Sequence, residues 1–335
     1  MKRLTAVVAG TATMLAGMVA PAHAAPKPSW KFQSQVKHGF FTSFATTGPT
    51  DVWTAGGVFS SEKTAPLRHW NGTKWTVLKT PRELYPQMIE GLVVKRADDI
   101  WISGFSVKNA ALVAHWDGTK WTVRSWSGEV PVLGVVSKTD VWAVSDGVAR
   151  HFDGRSWRAQ RLALNPTAVF VAKSDDVWAV GSSGRRPAAL HWDGRAWRKT
   201  TLHAPTSRRV QLNDVQGTAK SAWAYGDASS GADPFLLRWS GGKWRNVPLD
   251  RRIGALSDIE EDGSGGVYAV SNDLFHYRDG KWTKVRLPKL AGSPFKWLAW
   301  MDKITRVPGT RSFWTETEYL KNMAPAGTVL ARYTP

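Results

Sequence analysis

The 335-residue chain contains no cysteine. No disulfide can hold it together and no thiolate can act as nucleophile or metal ligand, so a packed core must supply its stability. Beyond the first two dozen residues, no stretch is long and apolar enough to cross a bilayer. No block of five or six like charges occurs, which argues against a disordered basic or acidic arm. Three enzyme signatures are also missing: a Ser-centred elbow, a zinc-binding His-Glu-x-x-His and a phosphate-cradling Gly-rich loop.

What is present begins with an export signal. Met1-Lys2-Arg3 is a basic start, Leu4 to Ala20 is mostly apolar, and Ala22-His23-Ala24 is a small-x-small cleavage site. Residues 1–24 read as a secretory signal peptide, and without cysteine a lipid-anchored lipoprotein start is excluded. The expected product is residues 25–335, a single exported extracellular domain. The formal net charge is +18. Lys2 and Arg3 account for two of these charges, leaving +16 on the remainder. Such a balance favours acidic partners such as acidic glycans and cell-wall polyanions.

The chain also holds 20 tryptophans, and they are periodic. One unit reads Asp176-Val177-Trp178-Ala179-Val180-Gly181, then after a gap His191-Trp192-Asp193-Gly194 and Trp197. The same order appears around Trp53, Trp101 and Trp142, and more weakly around Trp223, Tyr268 and Trp314. These seven aromatics are spaced 48, 41, 36, 45, 45 and 46 residues apart. Repeats of roughly 40–45 residues with four short strands each are the signature of a β-propeller. The fold expected is all-β, a seven-bladed β-propeller forming one domain over 25–335.

Unit two illustrates the strands. Strand A is Leu92-Val93-Val94, strand B Ile100-Trp101-Ile102, strand C runs from Leu112 to Trp116, and strand D is Trp121-Thr122-Val123. The Asp117-Gly118 pair between C and D is a hairpin signal. From C-strand aromatic to D-strand Trp the spacing is five residues in all six complete units, which predicts a single turn geometry. The seventh unit ends after Leu330-Ala331-Arg332-Tyr333 and lacks a strand D. Pro28-Ser29-Trp30-Lys31-Phe32 looks like that missing strand, so the N-terminal strand is expected to close the last blade, with Trp30 near Tyr333.

The motifs Asp-Val-Trp-Ala-Val-Gly and His-Trp-Asp-Gly-x-x-Trp resemble those of secreted bacterial propeller repeat proteins. Three groups are similar: tectonin-type lectins, sialidase-type propellers with an Asp box, and the galactose-oxidase and kelch group. The Asp-Gly-x-x-Trp spacing is one residue short of the Asp box. The copper enzyme of the third group needs a Cys–Tyr crosslink, which this chain cannot form. The resemblance implies the fold, while one fold hosts many functions.

His69, His115, His151, His191 and His276 each precede the C-strand aromatic of their own unit. Spread around a ring they do not converge, so they read as structural; no metal and no cofactor is expected. The Asp before strand B reads as a turn cap. Binding sites are expected where the units differ, on the face carrying the B–C loops and D–A connections. The candidates there are Arg82, Tyr85, Arg185, Arg186, His203, Arg208, Arg209, Arg251, Arg252, Trp297, Trp300, Glu316, Glu318 and Tyr319. The arginine pairs suit carboxylate, sulfate or phosphate groups. The expected role is non-catalytic recognition of an extracellular glycan, an anionic cell-wall polymer or a protein by a monomer. A carbohydrate-active enzyme of sialidase or lyase type is the alternative, and a protein-interaction scaffold the third reading.

Overall fold

The computed structural model describes residues 28–335 except 38, 59–66, 205–209, 219–220, 229–232, 288–299 and 322–323. The described residues form strands and turns, with no helix among them. The strands make seven antiparallel sheets of four, one of them extended by a fifth strand, arranged as a seven-bladed β-propeller. Strand A is innermost, and the A strands of neighbouring blades touch around the ring, blade 7 against blade 1 included. They are, in order, Gly39–Gly48, Leu84–Arg96, Val132–Ser137, Asn165–Lys173, Val210–Thr218, Asp258–Glu261 and Trp300–Arg306. An antiparallel meander puts the A–B and C–D turns on one face and the B–C loops and D–A connections on the other.

The repeated residues make one constellation per blade. In blades 1 to 4 the strand-B Trp lies opposite the strand-C His, as in Trp53↔His69 and Trp142↔His151. The two rings stack at 4.0 Å in blade 1 and 4.2 Å in blade 3. The His Nε2–H donates to the Asp that opens strand B: His69 to Asp51 at 3.1 Å, His115 to Asp99 at 2.9 Å, His151 to Asp140 and His191 to Asp176 at 2.8 Å. In blades 1 and 2 the indole N–H of Trp53 and Trp101 donates to the same carboxylate. This Asp therefore grips the aromatic stack instead of only capping the A–B turn. Blade 6 repeats the arrangement with Tyr268, His276 and Asp262. Arg238 and Arg332 take the His position in blades 5 and 7.

The outer side of each strand-B aromatic inserts into the next blade. Trp142 lies 5.2 Å from Trp192 and 5.3 Å from Trp197, and Trp178 lies 4.7 Å from Trp239 and 5.1 Å from Trp244. The C–D aromatic pair of one blade is thus the socket for the preceding blade's strand B.

The C–D hairpins share a spacing but have two geometries, which departs from the single turn expected. In blades 1 to 4 an Asx turn closes the loop: Asp117 Oδ1 accepts from the N–H of Thr119 and of Lys120, both at 2.9 Å. Gly118 has φ +95° there, and a Cβ would meet that of Asp98 at 2.9 Å, so glycine is required twice over. In blades 5 and 6 the turns are Gly241-Gly242 (φ 57° and 78°) and Asp279-Gly280 (φ 49° and 79°), two-residue turns with both central φ positive. At the position of the Asx cap these two blades carry Ser240 and Arg278, so the capping carboxamide or carboxylate oxygen is absent and the mirror-image turn is the alternative.

Blade 7 is closed as expected. Ser29–Lys37 pairs antiparallel with Ala324–Thr334, with Trp30 opposite Tyr333 and their rings 4.8 Å apart. The Trp30 indole N–H donates to the Arg286 carbonyl at 3.0 Å, joining the closing strand to blade 6. Trp30→Ala should destabilise the protein by about 2–4 kcal/mol, whereas Lys31→Ala, on the exposed side of the same strand, should change stability by less than about 0.5 kcal/mol. Denaturant unfolding of the two variants checks this; equal effects would mean that the strand does not clasp the ring.

Candidate functional site

The A strands line an axial channel, and register assigns each blade's contribution at one level. The residue paired two positions beyond the strand-B aromatic is Ser43, Gly91, Val132, Ala168, Asp214, Asp258 and Lys303 in blades 1 to 7. Those opposite the aromatics themselves are Ala45, Val93, Gly134, Phe170, Gln216, Glu260 and Thr305. The channel is therefore one-sided: blades 1 to 4 give it small or apolar residues, and blades 5 to 7 give it three carboxylates, an amide and an ammonium. β-Bulges at Asn213 and Asp302 directly precede Asp214 and Lys303 and reset which way the following side chains face. A cavity of about 530 Å³ is bounded by Asp214, Gln216, Tyr225, Asp258, Glu260 and Lys303 on this side. A second lobe of about 360 Å³, reaching Glu90 and the buried Ser103, shares Asp214, Gln216 and Lys303.

The hydrogen bonds fix these groups. Asp258 accepts from the N–H of Ile259 and of Ile304, both at 2.9 Å, and Asp214 accepts from the Gln216 amide at 3.2 Å. The Tyr225 hydroxyl donates to the Ser257 carbonyl at 2.7 Å, and Lys303 Nζ to the Thr42 carbonyl of blade 1 at 3.4 Å. Water reaches the carboxylates along the channel, so they are half-buried, but protein surrounds them on every side. Desolvation is accordingly the largest influence on each. It pushes Glu260 up to about 8 against hydrogen bonding and attraction from Arg306. It raises Asp214 against the Val215 N–H, Gln216 and Lys303, and raises Asp258, which the charge of Asp214 raises further. Burial also pushes the Tyr225 hydroxyl up and, in the second lobe, Glu90. At neutral pH Glu260 is a protonated carboxyl group, able to donate a hydrogen bond, close to the raised Asp258 and to Lys303.

The loop rim holds the arginines expected there, in different states. Arg82 is exposed and faces Glu83 at 3.6 Å. Arg185 and Arg186 are exposed at the B–C turn of blade 4, and the Arg185 carbonyl accepts from Val210 N–H at the entrance to blade 5. Arg251 is exposed, but Arg252 is clamped by two hydrogen bonds of 2.8 Å to Asp250 and lies 5.7 Å from the Phe275 ring. His203 belongs to a short strand, Thr201–His203, that adds in parallel to the outer edge of blade 5, and its Nδ1–H donates to the Trp244 carbonyl at 3.1 Å. It sits on the propeller's flank, apart from the rim. In blade 7, Trp300 pairs in register with Glu318, the buried Glu316 with Lys303, and Tyr319 with Gly327. Tyr85 lies within Leu84–Arg96. Arg208, Arg209 and Trp297 lie outside the described residues. Among the described residues no group of three or more His, Cys, Asp or Glu is placed to hold a metal ion.

No protein-family model and no curated protein matches the chain by sequence. Solved structures match its fold. YCF48 from Cyanidioschyzon merolae is 14% identical with a TM-score of 0.59, covering 91% of this chain and 98% of its own. The extracellular domain of a two component system protein from B. thetaiotaomicron is 11% identical with a TM-score of 0.61, over 91% of this chain and 40% of that one. The SapL1 lectin, solved with alpha methyl fucoside, is 17% identical at a TM-score of 0.45 over 70% of this chain, too distant to bear on function. At these identities the likeness is one of fold, and it singles out none of the three propeller groups that the motifs resemble.

The channel residues Asp214, Tyr225, Asp258, Glu260 and Lys303 escaped sequence reading. Spacing alone does not line them up: Asp258 lies ten residues before its strand-B aromatic, as do Ser43, Gly91, Val132 and Ala168, but Asp214 lies nine before Trp223 and Lys303 eleven before Trp314, so strand register is needed to place them at one level. Glu260 gives the channel a pH signature. Its pKa rises from 4.5 to about 8 on folding, so between those values the folded state holds a proton that the unfolded chain has lost, and stability falls as pH rises. Glu260→Gln should flatten this decline and raise Tm by a few degrees near pH 8, with little change near pH 4.5. Thermal unfolding across that range checks it; an unchanged slope would assign the proton to another group.

Proposed function

We propose that the protein is an exported, non-catalytic binding module that recognises an anionic extracellular polymer, an acidic glycan or cell-wall polyanion, through its loop rim. The observation that carries this reading is the charge balance of the rim. Arg185, Arg186 and Arg251 are exposed with no ion-pair partner among the described residues, and Lys108 is exposed on the same face in the B–C loop of blade 2. The carboxylates of the same face are largely engaged: Asp250 with Arg252, Asp273 with Lys284 and Glu83 with Arg82. A rim of uncommitted guanidinium groups on a chain of net charge +18 favours polyanions in both affinity and encounter rate. Residues 1–24 support export.

A second reading, a carbohydrate-active enzyme, is favoured by the raised pKa of Glu260 in a ligand-sized cavity, since a carboxyl protonated near neutral pH is a competent general acid. Turnover of acidic polysaccharides, lost in Glu260→Gln, would establish it.

The rim reading predicts that changing Arg185, Arg186 and Arg251 together to Ala weakens binding to polygalacturonate or teichoic acid by about tenfold or more and reduces its salt sensitivity, with Tm unchanged. Arg252→Ala should instead lower Tm, because it strips Asp250 of its partner. Binding by the triple variant at wild-type strength, measured by calorimetry at two salt concentrations, would overturn the rim assignment.

A further inference from the structure

The flank of the ring carries a second feature, at the junction of blades 2 and 3. The residue five positions beyond the D-strand Trp is Leu162, Leu202, Leu249 and Leu287 in blades 3 to 6, Thr80 in blade 1 and Trp126 in blade 2. Across three junctions this Leu packs with an apolar residue of the next blade's strand C: Leu162 with Leu190, Leu202 with Leu237 and Leu249 with Phe275. At the blade 2–3 junction the equivalent partner is Arg150. The Arg150 guanidinium lies 4.9 Å over the Trp126 ring, and burial lowers its pKa against the raising influence of Asp146. An apolar pair has been exchanged for an indole and a half-buried cation.

At this junction a groove of about 450 Å³ is lined by Arg124, Trp126, Arg150, Phe152, Arg155 and Trp157. The Trp126 and Trp157 rings are 5.7 Å apart at 59°. None of the three arginines is in an ion pair among the described residues, and the nearby carboxylates are committed elsewhere. Asp153 caps its own turn and pairs with Arg158 at 3.2 Å, and Asp146 accepts from the Glu129 N–H at 2.8 Å. The blade 6–7 groove is the internal control. There Trp30 donates to the Arg286 carbonyl, Lys284 is paired with Asp273, and Leu287 holds the ordinary position. Trp157, the counterpart of Trp30, has no such inter-blade hydrogen bond among the described residues.

We infer that the blade 2–3 groove binds an anionic sugar unit, its ring face on Trp126 and its acid group held by Arg150 together with Arg124 or Arg155. Indole surface suits the apolar face of a pyranose, and guanidinium groups free of ion pairs suit a carboxylate or sulfate. This site is separate from the loop rim and does not depend on it.

The test restores the repeat. Trp126→Leu with Arg150→Leu recreates the apolar pair of the neighbouring junctions, so the double variant should fold with Tm equal to or above wild type. Calorimetric titration would use three short oligosaccharides of matched length: oligogalacturonate, sulfated galacto-oligosaccharide and the neutral galacto-oligosaccharide. Wild type should bind the first, the second or both, and not the neutral one; which acid is preferred distinguishes uronate from sulfate. The double variant should lose about tenfold or more of that affinity, and the rim triple variant should retain it. Binding that survives in the double variant, equal binding of the neutral sugar, or no binding of either acidic one would overturn the inference. Loss in the rim variant alone would return the ligand to the rim.

Discussion

The structure depends on one contact made over and over: an aromatic side chain on strand B, stacked on its own blade's histidine and inserted into the aromatic pair of the next blade. Each half is modest, since an aromatic pair adds about 0.5–1.5 kcal/mol beyond its burial. The aspartate that opens strand B makes the contact specific by holding the imidazole, and in two blades the indole, through hydrogen bonds. Such contacts link only neighbours, so the assembly behaves as a chain of coupled units and gains full cooperativity only when the last unit meets the first. The N-terminal strand supplies that closure, with Trp30 standing where the D-strand Trp stands in the other blades. A ring without disulfides is held by the same side-chain type at its seam as inside its blades.

With stability residing between blades, the innermost strand is released from a packing duty on its axial side. That freedom is used unevenly. Asp214, Asp258 and Glu260 occupy an environment where charge is costly, so burial raises all three, and Glu260, pushed up to about 8, keeps its proton at neutral pH. Lys303 offsets part of the cost and also reaches the Thr42 carbonyl, so the channel's cation doubles as a tie across the blade 7–1 seam. The asymmetry between an apolar half and a polar half has no counterpart in the repeat's own packing scheme.

How much of this was legible in the sequence follows from sequence distance. The Asp, Trp and His of one constellation fall within about twenty residues of one another in blades 1 to 4, and the Asp-Gly turns fall within four, so period and motif exposed the blades and the closing strand. The turn change in blades 5 and 6 was hidden because the spacing is the same in both geometries; its mark is the residue after the C-strand aromatic, Asx in blades 1 to 4 but Ser240 and Arg278 in blades 5 and 6. The channel was hidden because its members come from different blades, and a lone Asp in a strand looks like any exposed residue until the ring places it on the axis. His203 was misread as a rim residue because nothing in the sequence marks a three-residue strand pairing in parallel along a blade's edge.

A repeat protein provides its own reference state, which makes departures from the pattern informative when they are sorted by what replaces the lost interaction. Arg238 and Arg332 replace histidines, and each takes over a structural duty: Arg238 lies 5.0 Å over the Trp223 ring, and Arg332 donates to the Pro49 carbonyl at 2.8 Å across the closing seam. Those changes leave the packing scheme intact. Trp126 and Arg150 replace an apolar pair with an indole and a half-buried cation in no ion pair, whose guanidinium lies over the Trp126 ring, donates to the Ser145 hydroxyl at 3.4 Å and feels the charge of Asp146. Leucine at both positions would pack as it does at the next junction, where Leu162 meets Leu190. A departure that gathers guanidinium groups free of ion pairs beside two indoles, where the blade 3–4 junction packs leucine on leucine, is the kind that the acid group of a ligand would complete.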